Sequence, residues 1–86
     1  MPTAYDVSFK HEILNEFIAS IEGFITRNYL YTDKVIPTDI QSMEKEIWEI
    51  YEKLPFEEDI DALDAYDKRL SEIRSNIQEL TPQPHR

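Results

Sequence analysis

Carboxylates are the residues of this chain that are numerous enough to suggest chemistry. Eighteen Asp and Glu stand against nine Lys and Arg, two His and no Cys in 86 residues. Asp61 and Asp64 lie one helical turn apart, a spacing that serves acid–base catalysis when a pocket holds the pair. The run Asp59-Ile60-Asp61-Ala62-Leu63-Asp64 offers oxygen ligands. It lacks the glycine at loop position six and the distal glutamate of an EF-hand. His11 sits between Lys10 and Glu12 and reads as a solvated histidine, and His85 falls in the C-terminal tail. No His-Glu-x-x-His or Glu-x-x-His pair occurs, which gives no support to a zinc protease or a di-iron bundle. Zero cysteine excludes disulfide frameworks, thiolate metal sites and cysteine nucleophiles. The single glycine removes phosphate loops and dinucleotide fingerprints. No serine occupies a nucleophile elbow. The expectation is a protein that is not an enzyme and needs neither metal nor cofactor.

The position of the charge is more informative than its amount. Residues 39–67 contain eleven acids and two bases, which accounts for the whole net charge of −9. The flanking stretches cancel one another. Such a field attracts cations and basic proteins and repels nucleic acid and anionic membranes. Direct nucleic-acid binding is disfavoured, since phosphate contacts need clustered Lys and Arg. Trp48 and Tyr51 stand among these acids, and on an ideal helix they share a face with Glu44. Rigid aromatic rings surrounded by steering charge have the composition of a protein-binding hot spot. The candidate partner-binding residues are therefore Glu44, Trp48, Tyr51, Glu52, Glu57, Glu58, Asp59, Asp61 and Asp64. The competing explanation is a solvated face that keeps a small bundle soluble, with both rings padding the rim of its core.

Three amphipathic segments must position these residues. In the first, Leu14, Phe17, Ile21 and Phe24 recur at steps of three and four, continued by Asn28 and Tyr31 and widened by Ile13, Ile18 and Ile25. This periodicity predicts a core-facing helix over 8–31 with Asp6 or Ser8 as its cap. Gly23, inside it, implies close packing or a mild bend. Ile40, Met43, Ile47, Ile50 and Leu54 predict a second helix over 39–54, begun by a Thr38/Gln41 capping box and stopped by Pro55. Leu63, Tyr66, Leu70, Ile73, Ile77 and Leu80 predict a third over 58–80, closed by Pro82 and Pro84. Val35 and Ile36 are expected to lid one end of the core and Phe56 to plug the other. Together these give an all-α, antiparallel three-helix bundle in a single domain, with ends frayed at about 1–6 and 82–86.

The beginning of the sequence has no basic and apolar signal segment, and no apolar run approaches spanning length. A cytoplasmic location is expected. The function that these features suggest is binding, and thereby inhibiting or neutralising, a basic partner such as a nuclease or another nucleic-acid-binding protein. In size, acidity and helicity the chain is similar to bacteriocin immunity proteins, antitoxins and phage anti-defence proteins as a loose class. The alternative is a structural or adaptor subunit, in which the near-heptad stripes of helices one and three pair with a second copy as a homodimer or join a larger assembly.

Overall fold

A computed structural model describes residues 4–81 of the chain. They form three helices: α1 (Ala4–Ile25), α2 (Thr38–Lys53) and α3 (Ile60–Leu80). The all-α, three-helix class is as expected, and the differences lie at the helix ends. α1 begins at Ala4, so Asp6 and Ser8 are inside the helix and do not cap it. Asp6 sits in the first turn, where a carboxylate complements the helix dipole. Residues 4–6, expected to fray, are thus helical. Pro82, Pro84 and His85 lie outside the described residues.

α1 does not simply stop at its far end. Thr26–Leu30 continue it as a wider π-type turn, in which the Tyr31 N–H donates to the Thr26 carbonyl at 3.0 Å. The Asn28 amide donates to the Phe24 carbonyl and the Thr32 hydroxyl to the Asn28 carbonyl, each at 2.8 Å. Asp33 then adopts φ 57°, the left-handed conformation. The Lys34 N–H reaches back to the Tyr29 carbonyl and the Asp33 N–H to that of Leu30. This is the Schellman ending, with Asp33 at the position usually given to glycine.

α2 starts after Pro37 without a side-chain cap. The expected Thr38/Gln41 box is absent. Instead the Gln41 amide donates to the Ile36 carbonyl at 2.8 Å, tying the loop to the first turn. Leu54–Phe56 form one 3₁₀ turn around Pro55, as a residue that blocks helix continuation requires. Asp59 caps α3, its Oδ1 accepting from the Asp61 N–H at 3.0 Å.

The core is an aliphatic column. Leu14, Ile18, Ile21 and Ile25 from α1 meet Ile40, Ile47 and Ile50 from α2 and Leu63, Leu70, Ile73 and Ile77 from α3. The buried line of α1 runs through Ile18 and Ile25, while Phe17 and Phe24 pack at its side. Ile13 and Tyr31, expected in the stripe, are exposed. Tyr29 is buried in place of Tyr31, and its hydroxyl lies 2.8 Å from Thr81 Oγ1. Because Thr81 spends its one hydroxyl proton on the Ile77 carbonyl, Tyr29 is the donor in that bond. The pair joins the end of α1 to the end of α3. Leu54, only 1% exposed, plugs the other end of the core, whereas Phe56 is 84% exposed. Of the two loop residues, Ile36 packs on the core and Val35 faces outward.

Gly23 has no close helix neighbour. A methyl group added there would meet only the flexible tip of Arg27, at 3.3 Å. Gly23→Ala should therefore raise unfolding stability by about 1 kcal/mol, the helix-propensity gain, in urea denaturation. A loss of stability would show that backbone packing needs the glycine.

Candidate functional site

The expected partner-binding residues fall into two groups. The first lies along α2. Trp48 and Tyr51 are 44% and 46% exposed, and their rings meet edge to face with centroids 5.4 Å apart at 87°. The inward stripe of α2 is already filled by Ile40, Ile47 and Ile50, so these rings occupy its flank and neither enters the core. Glu44 lies one turn before Trp48 and is partly buried against α1, and Glu52 lies one turn after it and is exposed. This flank borders the seam between α2 and α1.

The second group surrounds the turn from α2 to α3, and much of it already has work to do. The Glu57 carbonyl accepts from the His11 ring at 2.7 Å, so His11 ties α1 to this turn and is not simply solvated. The Glu57 carboxylate takes the Asp59 N–H at 3.4 Å, and Asp59 is the cap of α3. Asp64 holds the Lys10 ammonium at 2.6 Å. That hydrogen bond raises the Lys10 pKa above its usual value, outweighing the opposing effect of burial. Glu58 and Asp61 are exposed, and among the described residues their carboxylates engage no partner. About 1.5 Å of helix rise per residue separates Glu44 from the turn by several turns, so the nine residues do not converge on one point.

Two of the bases of α3, Arg69 and Arg74, are engaged within the molecule. Arg69 grips Glu46 of α2 through two bonds, Nε to Oε2 at 2.5 Å and Nη2 to Oε1 at 2.9 Å. The hydrogen bond from Arg69 lowers the Glu46 pKa, and Glu46 raises that of Arg69 in return. Arg74 sits 4.9 Å above the Phe17 ring. These pairs tie α3 to its neighbours and leave the excess of acid over base unchanged.

Sequence periodicity missed a set of exposed apolar side chains. Tyr5, Phe9 and Ile13 are spaced at four residues along the outer side of α1, with Tyr5 and Phe9 in edge contact at 6.4 Å. Leu30, Tyr31 and Val35 are exposed at the opposite end of α1. The four-residue spacing was visible in the sequence, but it lies beside the stronger core stripe and merges with it. A groove of about 550 Å³ runs between α2 and α3, lined by Lys45, Glu46, Glu49, Lys53, Tyr66 and Arg69 among others. It is open to solvent, and the Arg69–Glu46 fork forms part of its lining. Among the described residues, no three His, Asp or Glu side chains gather as a metal cage, and no helix is long and apolar enough to cross a membrane.

The fold and the site define a small acidic three-helix bundle with an aromatic pair exposed on its second helix. No family model, curated protein or solved structure matches the chain.

The Glu46–Arg69 fork gives a measurable electrostatic signature. A double-mutant cycle with Glu46→Gln and Arg69→Met should give about 0.2–1 kcal/mol of coupling at neutral pH, modest because both side chains are partly solvated. A lowered carboxyl pKa contributes stability above the usual carboxylate range, and this stability disappears as pH falls through the lowered value. The coupling should vanish in strong acid; coupling that persists there would contradict the ionic assignment.

Proposed function

We propose that this protein binds a basic partner protein through α2 and the adjoining turn, and so blocks the surface that the partner uses for nucleic acid. The observation that carries this reading is the half-exposed Trp48–Tyr51 pair set among carboxylates. Large rigid rings supply anchor area at little entropic cost, and the surrounding acids steer a cationic surface toward them. Among the described candidate residues, Glu52, Glu58 and Asp61 are exposed carboxylates available to pair with Lys or Arg of the partner. Asp59 and Asp64 are held by the fold and contribute field more than contact. An inhibitory, immunity or antitoxin role follows if the partner is a nuclease.

A second reading, an adaptor that self-associates, is favoured by a different observation. The core is filled within the chain, but Tyr5, Phe9 and Ile13 leave apolar surface uncovered on α1. A concentration-independent monomer in light scattering contradicts this reading.

The docking reading is tested by in-cell cross-linking with two baits, the wild type and a variant carrying Trp48→Ala, Glu52→Gln, Glu58→Gln and Asp61→Asn. None of these four residues is needed for the core. The expected result is a basic protein captured by the wild type and lost from the variant. For the purified pair, the association rate should fall about tenfold or more between low and physiological salt. Equal capture by both baits, or a rate indifferent to salt, overturns the reading.

A further inference from the structure

Glu22 is a side chain that the docking surface does not use. It is partly buried in α1, and its Oε1 is shut off from solvent without a hydrogen-bond partner. Glu44 on α2, itself partly buried, is the group whose carboxyl acts on it. Two ionised carboxylates offer only acceptors, so the pair repels unless one of them keeps a proton to donate. Burial first, and then the hydrogen bond to Glu44, push the Glu22 carboxyl up to about 7.

The surroundings supply no cation to relieve the pair. One turn away on α1 stand Ile18, Ala19, Ile25 and Thr26, and around Glu44 on α2 stand Ile40, Gln41, Ile47 and Trp48. α3 contributes the apolar Leu70, Ile73 and Ile77 to the core between the helices. Its Arg74 lies over Phe17, and with Arg27 lines a cleft between α1 and α3. Lys45 belongs to the α2–α3 groove. Glu44 is therefore the one titratable group facing Glu22 among the described residues, and it has the same sign.

We propose that Glu22 and Glu44 form a proton-operated latch between α1 and α2: a shared proton ties the helices together, and its loss loosens the seam that carries Trp48 and Tyr51. The sign of the effect follows from where the proton is held more tightly. The folded chain binds it more strongly than the unfolded chain does. Stability is greatest in acid, where both states are protonated, and falls as pH rises from the ordinary carboxylate range through neutrality. The Glu46–Arg69 fork has the opposite sign, since its contribution is lost toward acid. α2 is thus held to α3 by a bond that needs an ionised carboxylate and to α1 by one that needs a protonated carboxylate. The latch deepens the docking reading in one respect and rests on it there: Glu44 is one turn from Trp48, so losing the proton adds negative charge beside the proposed anchor.

The test uses the isolated full chain and no partner, so its outcome is separate from that of the docking reading. Urea unfolding is followed at pH 5 and pH 8 for the wild type, Glu22→Gln and Glu44→Gln. The wild-type folding constant should fall about tenfold or more across this interval relative to Glu22→Gln, which has no proton to lose there, and by a smaller factor relative to Glu44→Gln, in which Glu22 stays buried but accepts from the Gln amide. Both variants should exceed the wild type in stability at pH 8. Comparison with the variants cancels contributions from His11, which all three chains share. Carbon-13 NMR of the wild type should place the Glu22 carboxyl titration near neutrality. Parallel pH profiles in all three chains, or a Glu22 titration in the ordinary carboxylate range, overturns the latch.

Discussion

The structure depends on the narrowness of its core. Three helices of modest length enclose a single aliphatic column, filled by Leu14, Ile18, Ile21, Ile25, Ile40, Ile47, Ile50, Leu63, Leu70, Ile73 and Ile77. Each helix has one inward line, and branched aliphatic side chains occupy it. Bulky rings are largely displaced from that column. Of the aromatics, only Tyr29 is fully buried; Phe17, Phe24 and Tyr66 pack at its edge, and Tyr5, Phe9, Tyr31, Trp48, Tyr51 and Phe56 are exposed. A chain with so little interior still keeps several large rings on its surface. That juxtaposition is the physical basis for treating it as a binding protein.

The same narrowness governs the charges. Cations on α1 and α3 serve as struts: Lys10 to Asp64, Arg69 to Glu46 and Arg74 to the face of Phe17. Each strut stitches one helix to another where the core is too thin to do so alone. With eleven acids against two bases over residues 39–67, the molecule presents an acidic exterior along α2 and the turn. Glu22 and Glu44 are the exception, a pair of like groups set at a helix seam where a cation would be the usual choice. A carboxyl pair in such a place joins stability to proton concentration.

Much of this was legible in the sequence, because stripes of period 3.6 and a proline stop are strong signals. The three helices, the concentration of acid over residues 39–67 and the half-exposed flank of Trp48 and Tyr51 follow from spacing alone. What spacing could not resolve was phase and direction. Leu14, Phe17, Ile21 and Phe24 fit the helical period as well as Leu14, Ile18, Ile21 and Ile25 do, and packing into the shared core of the three helices selects the second line. Tyr29 replaces Tyr31 inside because its hydroxyl finds Thr81, fifty-two residues away. Phe56 was expected as the plug, but the 3₁₀ turn around Pro55 turns Leu54 inward in its place. Of the candidate site, the acids were visible as a cluster. Their division into those that hold the fold (Asp59, Asp64) and those that face solvent (Glu52, Glu58, Asp61) depends on contacts between distant segments. The Glu22–Glu44 pair was hidden for the same reason.

The half-exposed Trp48 ring stands beside Tyr51 inside a strongly negative field. Trp48 is the sole tryptophan, so its fluorescence reports on this place alone. Collisional quenching of the purified protein at low ionic strength tests this setting without any partner. Caesium ions should quench Trp48 well and iodide poorly, and the difference should collapse as salt is added. Equal quenching by the two ions, or resistance to both, would contradict the account.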